Sequence, residues 1–158
     1  KVKIIRPFNV YGPRQSLRAV IPTIISQLNK SNVVKLGNLE AYRDYTYVLD
    51  LCSAYKTIMK TNYFFGKVVN VGSGKCNSIN DIVTMISKKL EIKNLKIILE
   101  KKRIRPLKSE VNKLISSTNL LKTKTKWQEK IKFSNGLDKT ITWVRENEKI
   151  LKPDFYNV

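Results

Sequence analysis

The turn Gly72-Ser73-Gly74 is the first place where the residue types suggest chemistry. It lies between an apolar strand, predicted over Lys67–Val71, and a helix predicted to start at Ser78. Glycines in a strand-to-helix turn can let the backbone approach the pyrophosphate of a dinucleotide. That fingerprint requires a third glycine where this chain has Asn77. We therefore predict a structural turn here and no dinucleotide site.

A second pattern, Tyr63-x-x-x-Lys67, has the spacing of a tyrosine and a lysine that share proton-transfer work on a helix. The two residues must lie one helical turn apart, so that the ammonium group lowers the pKa of the phenol. Gly66 stands between them and a predicted strand follows at once. We interpret this spacing as a coincidence.

Arginines in two segments have the chemistry to hold phosphate. Arg43 opens Arg43-Asp44-Tyr45, and a later segment reads Arg103-Ile104-Arg105-Pro106. A guanidinium group can bind two phosphate oxygens at once and stays charged at any working pH. The alternative for Arg43 is a surface arginine paired with the adjacent acid, and both interpretations stay open at this point.

Several segments, in this order, resemble the NAD-dependent epimerase/dehydratase family, the extended short-chain dehydrogenases that act on nucleotide sugars. They are Arg6-Pro7-Phe8-Asn9-Val10-Tyr11-Gly12-Pro13, Arg43-Asp44-Tyr45 with Val48 and Asp50, Asn70-Val71-Gly72-Ser73-Gly74, and Arg103 to Pro106 with Glu110-Val111. The resemblance spans Val2 to about Asn147. The stretch Gln15–Pro22, together with Arg103–Val111, is most similar to the UDP-N-acetylglucosamine 4,6-dehydratases of the legionaminic-acid route.

The resemblance implies a set of site residues. Pro7 and Phe8 would contact the cofactor, with Phe8 against the nicotinamide end, although plain core packing is a compatible role for Phe8. Asn9 would donate its amide to the sugar nucleotide, while Arg43 and Arg105 would hold the diphosphate from opposite sides. The implied substrate-binding residues are Asn9, Arg18, Val20, Ile21, Leu36, Arg43 and Arg105. No catalytic residue and no metal ligand is expected in this chain.

By the same resemblance, the fold is α/β: the last strands of a Rossmann-type parallel sheet plus the small C-terminal α/β substrate-binding domain. Residues 1–158 would be the substrate-binding part of an NAD-dependent nucleotide-sugar 4,6-dehydratase or 4-epimerase, an incomplete fragment that is inactive alone. The Gly-rich loop and the catalytic Tyr-x-x-x-Lys are expected upstream of Lys1. The implied whole enzyme is a cytoplasmic homodimer that uses NAD and a nucleotide sugar, UDP-linked.

Hydrophobic periodicity predicts alternating strands and helices, which by itself favours an α/β architecture. The predicted strands are Val2–Ile5, Val33–Leu36, Lys67–Val71 and Leu95–Leu99. The predicted helices are one with Pro22 in its first turn, one capped by Asp50, one starting with the capping box Ser78-x-x-Asp81, and the stretches Ser117–Thr125 and Ser134–Glu148.

The net charge of +19 over 158 residues suggests a different function. Clustered positive charge gains affinity for polyanions by releasing counterions, so a basic nucleic-acid-binding module is one alternative. Only Lys101-Lys102-Arg103 forms a compact basic run, and it lacks interleaved aromatic residues for base stacking, which favours a solvated surface instead. A non-catalytic nucleotide-sugar binder is the other alternative.

The remaining composition excludes some kinds of catalytic and metal site. The chain has no His, which excludes a Ser-His-Asp triad and any His-ligated metal within it. Cys52 and Cys76 are isolated in sequence, so we expect free thiols. No apolar run approaches the ~20 residues needed to span a bilayer, so no membrane partner is expected.

Overall fold

Strands and helices alternate in the computed structural model, which describes residues 1–104, 106, 110–149 and 151. The strands are β1 (Ile4–Pro7), β2 (Asn9–Tyr11), β3 (Val33–Leu36), β4 (Tyr42–Arg43), β5 (Tyr45–Tyr47), β6 (Val68–Val71), β7 (Asn77–Ser78), β8 (Lys96–Leu99) and β9 (Lys113–Leu114). The helices are α1 (Val20–Lys30), α2 (Val48–Lys60), α3 (Ile79–Lys89), α4 (Asn119–Thr125) and α5 (Phe133–Glu146), with 3-10 turns at Asn62–Phe64 and Lys101–Arg103.

Most of the strand pairs are parallel. β1 pairs with β6, β2 with β5 and β3 with β8, each in parallel register. Parallel neighbours require long crossover connections, and helices lie within these connections. β4 runs parallel to β9 and antiparallel to β7. The α/β prediction is confirmed.

Short sequence patterns correctly predicted where two helices begin. The hydroxyl of Ser78 accepts the backbone N–H of Asp81 at 3.0 Å, and the Asp81 carboxylate accepts the N–H of Ser78 at 2.9 Å. This capping box satisfies amide groups that the first turn of α3 leaves without a helical partner. Pro22 lies in the first turn of α1, where a missing N–H costs nothing.

The predicted capping role of Asp50 is wrong. Helix α2 begins at Val48, with Tyr47 at the cap position, so Asp50 lies inside the first turn. Its buried carboxylate accepts the backbone N–H groups of Lys130 and Ile131, both at 3.0 Å. These partners lie about 80 positions along the chain, so a local capping pattern could not reveal them.

The core has two parts. The larger packs helices α1, α3 and α5 around strands β2, β3 and β5. The smaller joins α2, α4 and β6 through Ala54, Ile58, Phe64, Val69, Val71, Leu121 and Trp127. The indole N–H of Trp127 donates to the hydroxyl of Ser53 at 2.8 Å, so its polar atom is satisfied. In the part of the chain that the structure describes, no helix is long and apolar enough to cross a membrane.

Tyrosines form the aromatic centre of the larger core. The ring of Tyr11 meets those of Tyr45 and Tyr47 edge-on, at centroid distances of 6.2 and 5.6 Å, and lies 5.0 Å from that of Phe133. The Tyr11 hydroxyl donates to the carbonyl oxygen of Phe133 at 3.1 Å. Burial raises the pKa of Tyr11 and raises the pKa of Tyr45 to about 12.

We expect the free energy of unfolding to fall as the pH rises above 10. An unfolded tyrosine ionises near pH 10, whereas the folded pKa of Tyr45 is about 12, so the unfolded state loses its proton first. The stabilisation from neutral Tyr45 is complete below pH 10 and is lost as the pH rises toward 12. Tyr45 alone should remove about 1 kcal/mol by pH 11. Urea unfolding at several alkaline pH values measures this, and a Tyr45→Phe protein with an equal loss would contradict it.

Candidate functional site

A cavity of about 830 Å³ opens between the start of α1, the end of β3, β4 and the turn Lys101–Arg103. Its wall includes six of the predicted substrate-binding residues: Asn9, Arg18, Val20, Ile21, Leu36 and Arg43. Three of these supply aliphatic surface, while the two arginines, with Lys102 and Arg103, supply positive charge. Polar and charged side chains, including Glu110, form as much of the wall as the aliphatic ones do, which suits a ligand that is itself largely polar. The charge favours an anionic ligand.

Arg43 is held firmly in this wall. Its Nη1 donates to the carbonyl oxygens of Tyr42 at 2.9 Å and Val111 at 2.6 Å, and its Nη2 donates to Glu110 Oε1 at 3.0 Å. The Arg43 and Glu110 side chains are only 13% and 12% exposed. The alternative interpretation, a surface pair with the adjacent Asp44, is therefore wrong, because the acid that Arg43 contacts is Glu110.

Arg105 lies outside the described residues, so the predicted convergence of Arg43 and Arg105 on one anion stays a prediction. The chain on both sides of Arg105 does line the cavity, through Arg103, Pro106 and Glu110. The Nε of Arg103 donates to Glu100 at 2.5 Å, and this bond lowers the pKa of the Glu100 carboxyl group.

Pro7 and Phe8, both in the described part of the chain, do not line the cavity, unlike six of the other predicted residues. Pro7 is the last residue of β1, and the N–H of Phe8 donates to the carbonyl oxygen of Val71 at 2.9 Å. They lie at the carboxyl end of a parallel strand, where ligands of α/β sheets bind. Their role toward a cofactor stays a prediction.

The Gly72–Gly74 turn is structural, as predicted. The N–H groups of Ser73 and Gly74 donate to the carboxylate of Asp44 at 2.8 and 2.9 Å. These amides are the donors that a dinucleotide phosphate would need. Because the protein's own carboxylate already occupies them, this turn does not fit the pyrophosphate of NAD.

The Tyr63 and Lys67 spacing is also a coincidence, as predicted. Tyr63 lies in the 3-10 turn before β6, and Lys67 precedes the first residue of that strand, so the two share no helix. Hydrogen bonding to Lys67 lowers the pKa of Tyr63, and the Lys67 Nζ lies 3.5 Å from the ring centroid. The pair sits at the amino end of β6, whereas ligands of parallel sheets bind at the carboxyl ends.

A model for the family described as GDP-mannose 4,6 dehydratase matches residues 1–140. The chain belongs to this family. The resemblance to NAD-dependent epimerases and dehydratases is thereby confirmed at the level of the family. The closer likeness to UDP-N-acetylglucosamine 4,6-dehydratases is a finer statement that the match does not decide.

Known relatives of this chain include nucleotide-sugar dehydratases and epimerases, together with a GDP-6-deoxy-D-talose 4-dehydrogenase and a GDP-6-deoxy-D-mannose reductase. The dTDP-D-glucose 4,6-dehydratase of Homo sapiens is 29% identical, over 96% of this chain and 46% of the relative. The UDP-glucuronate 4-epimerase of Thermodesulfobacterium geofontis is 26% identical, over 96% of this chain and 45% of the relative. The chain thus spans a little under half the length of these relatives.

A solved structure supports the same fold. The dTDP-glucose 4,6-dehydratase of Bacillus anthracis, in complex with NAD, superposes with a TM-score of 0.82 at 25% identity, covering 94% of this chain and 46% of that one. The Rossmann-type α/β architecture is therefore confirmed. The bound NAD is a property of that relative.

The sequence did not identify three further residues that lie in or near the cavity. Gln15 lines the cavity, its Nε2 donates to the carbonyl oxygen of Val10 at 2.6 Å, and its buried Oε1 has no partner among the described residues. Lys102 also lines the cavity, and the basic run Lys101-Lys102-Arg103 was the signal for it. Asp44 was seen only as part of a motif, because its partners are remote in sequence.

Proposed function

We propose that residues 1–158 form the substrate-binding part of an NAD-dependent nucleotide-sugar 4,6-dehydratase or 4-epimerase. The observation that carries the proposal is the meeting of Asn9, Arg18, Val20, Ile21, Leu36 and Arg43 on one cavity, although they come from separate elements. The dehydratases and epimerases among the relatives support this general function.

The cavity offers suitable side chains for the diphosphate, the base and the sugar of a nucleotide sugar. The planar guanidinium of Arg43 suits a diphosphate, because it can bind two oxygens and does not lose its charge. The aliphatic side chains of Val20, Ile21 and Leu36 suit the flat base. Asn9 offers an amide to the sugar. In this proposal Arg105 approaches the same diphosphate from the other side.

NAD is the proposed cofactor, and when bound it would supply the hydride chemistry at C4 of the sugar. The residues of this chain hold the sugar nucleotide and orient it, with Pro7 and Phe8 as the proposed contacts to the cofactor. The Gly72–Gly74 turn takes no part, because its amides are bonded to Asp44. We propose that the phosphate-binding loop and the proton-transfer residues come from outside residues 1–158.

At a finer level, we propose UDP-N-acetylglucosamine as the substrate and 4,6-dehydration as the reaction. The support is the similarity of Gln15–Pro22 and Arg103–Val111 to dehydratases of that class. For the whole enzyme, the same resemblance supports a homodimer.

Calorimetric titration of the chain with UDP-N-acetylglucosamine, GDP-mannose and dTDP-glucose tests the proposal. We expect saturable binding, with UDP-N-acetylglucosamine preferred by about tenfold or more, which corresponds to ~1.4 kcal/mol. Equal affinity for all three would reject the finer substrate, and binding of none would reject the nucleotide-sugar function. A single-stranded oligonucleotide serves as the comparison, since preferential binding to it that weakens steeply with salt would favour the basic module.

A further inference from the structure

Asp44 has a fully buried carboxylate that receives hydrogen bonds from two separate segments. The N–H and hydroxyl of Ser73 donate to Oδ1 at 2.8 and 2.6 Å, and the N–H of Gly74 donates to Oδ2 at 2.9 Å. The N–H of Ser116 donates to Oδ2 at 3.0 Å, and so does its hydroxyl. These donors offset the large penalty for burying a charge.

The segment bound through Ser116 is the one that holds Arg43. The N–H of Asp44 donates to the carbonyl oxygen of Leu114 at 3.0 Å, which keeps β9 beside β4. Just before β9, the carbonyl oxygen of Val111 accepts Arg43 Nη1 at 2.6 Å. The direction of the guanidinium therefore depends on where this segment lies.

Asp44 is connected to Asn9 as well. Its main-chain carbonyl oxygen accepts the side-chain amide of Asn9 at 3.3 Å. The turn that carries Ser73 follows β6, and β6 receives the N–H of Phe8 at the carbonyl oxygen of Val71. The start of β2 and the turn after β6 are thus both bonded to Asp44.

We infer that Asp44 is a positioning residue for ligand binding: its carboxylate joins the turn at Ser73 to the segment at Ser116 and thereby orients Arg43 toward the cavity, while its main-chain carbonyl oxygen holds Asn9. Because Asp44 is fully buried, it acts through these neighbours and does not touch the ligand. The inference rests on the proposed function, since it concerns the same cavity.

The packing of Gly72 supports this role. A Cβ at this position would lie 2.8 Å from Asp44 Oδ2 and would collide with the side chain of Ser116. Glycine is therefore required for the two segments to close around the carboxylate. The two segments therefore pack directly against the Asp44 carboxylate.

Asp50 provides a matched control for Asp44. It is also a buried aspartate, at 3% exposure, and its carboxylate accepts two backbone N–H groups, from Lys130 and Ile131. In the described part of the chain, none of these three residues lines the cavity. Loss of either carboxylate should lower stability, but only loss of Asp44 should disturb the ligand site.

The test compares Asp44→Asn with Asp50→Asn, because asparagine keeps the shape and turns one acceptor into a donor that faces N–H groups. Melting temperatures are measured first, and UDP-N-acetylglucosamine affinity is then titrated well below both of them. We expect both variants to melt lower, but only Asp44→Asn to bind about tenfold or more weakly, a change of ~1.4 kcal/mol. Unchanged affinity in Asp44→Asn, or equal losses in both variants, would overturn the inference.

A double-mutant cycle shows whether Asp44 acts through Arg43. In an Arg43→Ala background, Asp44→Asn should weaken binding by a much smaller factor than in the wild type, because the group that it orients is gone. The same full factor in both backgrounds would mean that Asp44 acts independently of Arg43, which overturns the inferred route.

Ligand-free measurements separate this inference from the proposed function. In Asp44→Asn we expect backbone amides of residues 111–116, and the side-chain N–H groups of Arg43 in nuclear magnetic resonance spectra, to exchange about tenfold faster or more. Asp50→Asn should leave both unchanged. Unchanged exchange in Asp44→Asn overturns the positioning role. Faster exchange in Asp44→Asn, together with a wild-type chain that binds no nucleotide sugar, overturns the proposed function alone.

Discussion

Replacing Arg43 with alanine is expected to weaken UDP-N-acetylglucosamine binding roughly 10- to 150-fold. The guanidinium is almost buried in the cavity wall, and the carbonyl oxygens of Tyr42 and Val111 fix its direction before a ligand arrives. A hydrogen bond to a charged group contributes about 1.5–3 kcal/mol, which corresponds to this range of Kd. Calorimetric titration of both proteins at one salt concentration measures the change.

Two further variants make the Arg43 result specific. Arg43→Lys should recover only part of the affinity, since a point charge cannot reproduce the bidentate fork. Arg145→Ala removes an exposed arginine in the last turn of α5 and should leave binding unchanged, which controls for the loss of net charge. An Arg43→Ala protein that binds as tightly as the Arg145→Ala control would rule out the proposed diphosphate contact.

Glu110 adds to the expected loss. Its carboxylate is 12% exposed and pairs with Arg43 Nη2 at 3.0 Å, so Arg43→Ala leaves a nearly buried negative charge facing the ligand site. An unpaired carboxylate there would repel a diphosphate. Adding Glu110→Gln to Arg43→Ala should therefore restore part of the affinity, and the part restored separates repulsion from the lost contact.

The sequence predicts those features whose causes lie within a few residues. Helix α3 was foreseen because Ser78 and Asp81 are three positions apart and form a capping box. The first turn of α1 was foreseen because Pro22 fixes a backbone conformation that suits it. Even the misleading Gly72–Gly74 turn could be judged from the missing third glycine.

Features that depend on remote partners could not be predicted. Asp50 has a plausible capping position, yet its partners lie about 80 residues away. The resemblance implied that Arg43 contacts a diphosphate, which stays a prediction, but its partner Glu110 is 67 positions distant and was not identified. Asp44 carried no local signal of its buried network, because Ser73 and Ser116 come near it only in the folded chain. For the candidate site, the sequence thus predicts which residues gather and not which of them hold the others in place.

Gly136 is another residue whose role only the packing reveals, and replacing it with alanine is expected to lower the free energy of unfolding by about 1 kcal/mol. It lies in the first turn of α5, where a Cβ would collide with the Tyr11 hydroxyl and lie 2.8 Å from Tyr11 Cζ and 2.9 Å from Tyr47 Cδ2. Overpacking a core typically costs about 1–3 kcal/mol, and the better helix propensity of alanine offsets about 1 kcal/mol. The Tyr11 ring cannot retreat freely, because its hydroxyl is bonded to the carbonyl oxygen of Phe133.

Urea unfolding of Gly136→Ala, Tyr11→Phe and the double variant measures this effect. Tyr11→Phe removes the oxygen that the new Cβ would meet, so we expect the double variant to be less destabilised than the sum of the two single variants. Gly66→Ala is the matched control, because a Cβ there meets nothing within 4 Å and only its positive φ of 71° resists alanine. Gly66→Ala should combine additively with Tyr11→Phe. If Gly136→Ala did so too, the close approach of α5 to Tyr11 would not be what position 136 requires.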